Sequence, residues 1–294
     1  MDTTVLAFLA APFVASLILT GIHAYLGVHV VERGVIFVDL SLAQIAALGA
    51  TIALLLPITN GDPHAPVTYW ISLAFTFLGA LVFSTIRSRR ARIPQEAIIG
   101  ICYAVASAAA ILAMSKATSE SEHLKDMLVG NILAVSWPEV GKTALLYGAI
   151  GAFHYIFRHK FLAISMNPKQ AEAEGISIKV WDFLFYASFG FVVTSSVSIA
   201  GVLLVFCYLI VPSVAAMLYA DSIGRRLAIG WTMGTVVSAL GVYLSLKLDL
   251  PTGATIVCTF GLVLILMAAI RPLIQRTAPE DTHHLDYADR AHER

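Results

Sequence analysis

Residues 34–58 read GVIFVDLSLAQIAALGATIALLLPI, an apolar stretch whose one charge is Asp39. A helix needs about 20 mostly apolar residues to cross the hydrocarbon layer of a bilayer, and this run is long enough. It lacks the polar/apolar alternation of a barrel strand. Only helices and closed barrels satisfy their backbone in lipid, so the run reads as a transmembrane helix. Asp39 stands well inside it. A carboxylate at the centre of such a helix costs about 2.5 to 3.5 kcal/mol on insertion scales, so Asp39 is expected to face protein or a watery path.

Eight further apolar runs of comparable length surround this one, at 5–26, 67–86, 97–114, 140–157, 181–199, 201–220, 227–246 and 252–270. The whole chain of 294 residues is 58% hydrophobic and only 13% charged, about half the charged fraction of a soluble domain. Its mean hydropathy is +0.81. These features give an all-α, polytopic transmembrane bundle of about eight to nine spans. The least secure division is Ala200, a one-residue break between two runs. Residues 127–137, MLVGNILAVSW, are too short to span and read as a re-entrant or interfacial half-helix on the outer side.

The connecting segments carry an asymmetric charge. Assigned alternately to two sides, they place 15 of the 19 Lys and Arg on one side, including Arg33, Arg87, Arg158, Lys169, Arg225 and Arg271. Lys116, Lys125 and Lys247 fall on the other, and Lys142 inside a span. The rich side is cytoplasmic by the positive-inside rule, which puts the C-terminus inside and the N-terminus outside. The opening MDTTVLAFLAAPF lacks the basic region of a cleavable signal. Zero formal net charge gives no basic excess for nucleic acid. The permease region is taken as 1–275, followed by a solvated cytoplasmic tail, 276–294, with His283, His284 and His292.

Within the second span, Ser41 and Gln44 are three apart and share a face, whereas Asp39 lies about 140° from Gln44 at 100° per residue. A ligand cluster on this helix alone is therefore not expected. Asp39 can be a packing or capping contact as readily as a pathway group. The loop at about 158–180 contains PKQAEAE between Pro168 and Gly175, with proline at the first helical turn and glycine at the end. It reads as a short helix of about two turns, either a solvated connector or an element that docks into a partner and transmits its motion. Pro212 is expected to kink its helix and act as a moving joint. Small residues at helical spacing, Ser195, Ser196, Ser198 and Gly201, then Gly230, Gly234, Ser238 and Gly241, point to close helix packing. His23, His29, His64, His123, His154 and His159 form no metal-binding spacing and read as packed or interfacial imidazoles. Cys102, Cys207 and Cys258 lie in apolar runs and suit neither a disulfide nor a zinc cluster.

Four segments together resemble the permeases of zinc, manganese and iron ATP-binding cassette importers: GVHVVERGVIFVDLSLAQIAALGATIALL, LVGNILAVSWPEV, ISMNPKQAEAEGI and IAGVLLVFCYLIVPSVAAML. They occur in order from about residue 20 to residue 270. The resemblance implies a type II importer-like permease in the bacterial inner membrane, paired as a homodimer or with a second permease subunit. It implies a cytoplasmic ATPase, an extracytoplasmic metal-binding protein, no tightly bound cofactor, and ATP used only through the partner. Family members have an alanine, then glycine and a hydrophobic residue four and five positions later, in the loop that couples to the ATPase. Ala171, Gly175 and Ile176 match it, with Glu172 beside them, so these residues are expected to contact the ATPase. Family members also carry Asp and, four residues on, His in the second span. Here Leu40 and Gln44 occupy those positions, which leaves the metal ligands unknown and makes Asp39, Ser41 and Gln44 the expected pathway residues.

Two further classes compete. A secondary transporter or channel would use Asp39 as its ion or proton site. An intramembrane enzyme would need a nucleophile or metal motif, and neither Gly-x-Ser-x-Gly nor His-Glu-x-x-His is present. The chain has no Gly-x-x-x-x-Gly-Lys-Ser/Thr motif, so ATP hydrolysis is expected on another subunit.

Overall fold

The computed structural model describes residues 3–59, 65–86, 93–115 and 132–277, with side chains between residues 9 and 272. Every element among them is helical: α1 (Thr3–Glu32), α2 (Val38–Leu54), α3 (Pro66–Ile86), α4 (Gln95–Met114), α5 (Trp137–Ile156), α6 (Arg158–Met166), α7 (Pro168–Ala173), α8 (Ile178–Ala200), α9 (Val202–Met217), α10 (Ile223–Leu248) and α11 (Thr252–Thr277), with single 3₁₀ turns at Pro57–Thr59 and Ile132–Ala134.

Each of the nine apolar runs falls on a helix. Among the described residues six of these, α1, α3, α4, α8, α10 and α11, are long and apolar enough to cross a membrane, where eight to nine were expected of the whole chain. The difference lies mainly in α2 and α9, shorter apolar helices of 17 and 16 residues. Residues 34–37 turn instead of extending α2, because Gly34 takes φ +65°, and Pro57 opens a 3₁₀ turn after the other end. Consequently Asp39 sits in the first turn of α2 and not deep within it. The break at Ala200 is real: Gly201 adopts φ +76°, accepted readily only by glycine, and α9 starts at the next residue.

The segment 127–137 is described only from Ile132. There a 3₁₀ turn leads into a capping box, in which Ser136 N–H donates to Glu139 Oε2 at 2.8 Å and starts α5. The tail is outside the described residues beyond Thr277.

Packing divides the bundle into two groups. In one, α2 lies against α3 and α4, and α3 against α8; in the other, α1, α9, α10 and α11 pack on one another. The small-residue stripe of α10 makes the second group tight. A Cβ on Gly234 would lie 2.4 Å from Thr20 Cγ2 on α1, and one on Gly241 would lie 2.8 Å from the Ile256 backbone on α11. The first group ends at its basic side in a fully buried aromatic cluster of Phe185, Tyr186, Phe189 and Phe161.

Candidate functional site

The second span contributes a stripe. Leu40, Gln44 and Leu48, four apart, are all half-buried, while Asp39, Ser41, Leu42 and Ala43 are buried. Of the three expected pathway residues, only Gln44 therefore reaches a surface of the single chain. Ser41 and Gln44 do not share an environment as their spacing suggests. Asp39 is 1% exposed, and its Oδ1, like the Oγ of Ser41, has no hydrogen-bond partner among the described residues. An unpartnered carboxylate oxygen in an apolar interior is costly unless a cation or a donor reaches it. The entry into α2 is fixed from α4: the Phe37 N–H donates to Glu96 Oε1 at 3.0 Å.

The loop at 158–180 is built of α6 and α7. Asn167 caps α7, accepting the Gln170 N–H at 3.2 Å, and Pro168 occupies the first turn, as its fixed φ favours. The far end is a Schellman motif. The Ile176 N–H donates to Ala171 O and the Gly175 N–H to Glu172 O, each at 3.0 Å, with Gly175 at φ +78°. Thus the spacing of Ala171, Gly175 and Ile176 is that of a helix end. Ala171 is fully buried and Ile176 half-buried, so the alanine anchors α7 and does not face outward. Glu172, Ala173, Glu174 and Gly175 form the exposed tip.

Behind this tip lies a buried polar cluster that sequence reading missed. Arg33, just past the end of α1, donates through Nε to Ser165 Oγ at 2.9 Å and through Nη1 to Asp182 Oδ1 at 2.7 Å. Its guanidinium carbon is 3.9 Å from the ring centre of Phe185. His29 Nδ1 is 2.8 Å from the same Ser165 oxygen. Tyr25 lies edge-on between the rings of His29 and His154, and His154 Nε2 meets Ser188 Oγ at 2.8 Å. Glu32 is ion-paired with Arg226 on α10.

A second polar junction sits two to three turns further along α1. His23 Nδ1 is 2.8 Å from Leu19 O, so that nitrogen carries the proton and Nε2 faces Ser196 Oγ at 3.1 Å. Tyr147 of α5 joins it, with its hydroxyl 3.0 Å from Ser195 Oγ and 2.9 Å from Ser196 Oγ. The serine stripe thus faces polar partners. Its period was legible, but the partners, on α1 and α5, were not.

Pro212 is buried inside α9 and removes the donor for the Tyr208 carbonyl one turn earlier. The following Ser213 Oγ lies 2.9 Å from Leu209 O and 3.3 Å from Ala24 O on α1. Gly27 sits against the same place, where a Cβ would come within 1.9 Å of Leu209 O. No group of three or more His, Cys, Asp or Glu able to hold a metal forms among the described residues.

The sequence pattern of the ABC 3 transport family matches residues 5–271. The chain is 26% identical over 217 residues to the manganese transport system membrane protein MntC of Listeria monocytogenes, covering 71% of this chain and 77% of that protein. It is 24% identical over 270 residues to the manganese import system permease protein ScaB of Streptococcus gordonii, covering 90% and 92%. Its fold is similar to a chain of PsaBC from Streptococcus pneumoniae in complex with Fab, with a TM-score of 0.73, 23% identity, and 88% and 90% of the two chains covered.

Proposed function

This chain belongs to the ABC 3 transport family, and from that premise we propose that it is the permease subunit of an ATP-binding cassette importer that carries a divalent metal ion into the cytoplasm. It is a multi-pass protein of the bacterial inner membrane. Manganese or iron is the favoured cargo, since relatives are named for manganese and for iron transport. The observation that carries the reading is α7, a capped two-ended helix exposed at the basic side and held between membrane helices.

Two copies of the chain, or this chain and a second permease, enclose the path along the half-exposed stripe of Leu40, Gln44 and Leu48 on α2. Leu40 offers no ligand. Gln44 offers a carbonyl oxygen, which suits a hard divalent ion and holds it weakly. The ion is therefore handed along, with the Asp39 carboxyl group just inside the wall. An extracytoplasmic metal-binding protein delivers the ion, and ATP acts through a separate ATPase docked on Glu172 to Gly175.

Replacing residues 172–175 by a Gly-Ser linker in the intact complex tests this reading. The ATPase should leave the membrane fraction while the permease stays folded there. Full retention of the ATPase would contradict it.

A further inference from the structure

We propose that the Arg33–Asp182 pair is the link through which movement of the α6–α7 loop reaches α1, so that it sets how tightly ATP hydrolysis is tied to transport. This rests on the permease reading above.

The first helix of the loop and the membrane helix that follows the loop are both fastened to one residue. Arg33 holds Ser165 on α6 at 2.9 Å and Asp182 on α8 at 2.7 Å. The charged side chains are 1% and 0% exposed. α6 packs directly on α1 and His29 also meets Ser165, whereas α1 and α8 belong to different packing groups and make little direct helix contact. Side chains therefore carry any force between them. Apolar surfaces slide past one another, whereas a planar guanidinium that bonds two partners and stacks on Phe185 fixes direction. The preceding residue, Glu32, pairs with Arg226 on α10, so the end of α1 grips both sides of the bundle. Further along, Gly27 and Ala24 meet α9 beside Pro212, which hands the same displacement to that helix.

The test uses the permease reconstituted with its ATPase and delivery protein in proteoliposomes, with manganese(II) as the probe. ATPase retention, ATP hydrolysis and manganese entry are measured together. Asp182→Asn should keep the ATPase bound and hydrolysing within about twofold of wild type, yet move about tenfold fewer ions per ATP, a coupling loss of ordinary size. The exchange Arg33→Asp with Asp182→Arg should recover part of that ratio. Ser165→Ala removes one anchor without stranding a charge and covers the case in which Asp182→Asn does not fold; it should lower the ratio less. An unchanged number of ions per ATP in the folded variants would overturn the link. Loss of nucleotide-dependent uptake by the wild-type complex would instead overturn the permease reading, and the link with it.

Discussion

The backbone N–H of Ile176 reaches across the end of α7 to the carbonyl of Ala171 at 3.0 Å, closing the helix with Gly175 at φ +78° between them. A side chain on Gly175 costs about 1 to 2 kcal/mol in that left-handed conformation. Gly175→Val should therefore loosen the exposed tip and leave the membrane bundle intact. Co-purification should recover less ATPase with the variant, at an unchanged melting temperature of the permease. Ala171→Leu should do the same by overfilling a buried site.

Gly27 and Gly21 lie on the same helix but in different surroundings. A methyl on Gly27 would collide with Leu209 O and, at 2.3 Å, with Ser213 Oγ, whereas one on Gly21 meets nothing within 4 Å. Gly27→Ala should cost about 1 to 3 kcal/mol by overpacking. Gly21→Ala should be neutral or stabilise by up to about 1 kcal/mol. Thermal unfolding of the two variants in detergent checks the contrast.

Much of this was legible in the sequence, for local reasons. Apolar length marked the helices, the division at Ala200 was legible only as a one-residue break between two runs, and Pro168 with Gly175 marked α7. The start of α2 was misplaced because residues 34–37 are as apolar as the helix that follows, although they turn. The Arg33–Asp182 pair could not be read, since its partners are 149 positions apart and each looks like a loop charge at the end of an apolar run. The burial of Ala171 was not legible because a family pattern gives spacing and not burial. His29 and His154 read as packed imidazoles and are buried, but their polar partners come from other helices.

The pathway makes its own prediction. Gln44→Ala should reduce manganese uptake by weakening an oxygen contact, and Asp39→Asn should reduce it by removing an ionisable carboxyl group. Wild-type rates in both variants would leave α2 without a transport role. Leu40→Asp combined with Gln44→His supplies a carboxylate and an imidazole at i and i+4 on the half-exposed stripe, and should increase metal retained by the purified protein. Elemental analysis after gel filtration measures that gain.

Pro212→Ala would restore the hydrogen bond to the Tyr208 carbonyl that proline removes. If Pro212 is a moving joint, the variant should unfold no more easily than wild type but transport more slowly. Equal transport rates would assign Pro212 to shape alone.

On the permease reading, transport by this chain is driven by a partner's ATP hydrolysis and not by an ion gradient through Asp39. Manganese(II) entry into proteoliposomes decides it most directly, comparing the complete complex with ATP inside or outside the membrane partners' reach against the chain alone under an imposed proton or sodium gradient. Uptake is expected only in the complete complex and only with ATP accessible to the ATPase. Gradient-driven uptake by the chain alone, without nucleotide, would contradict it.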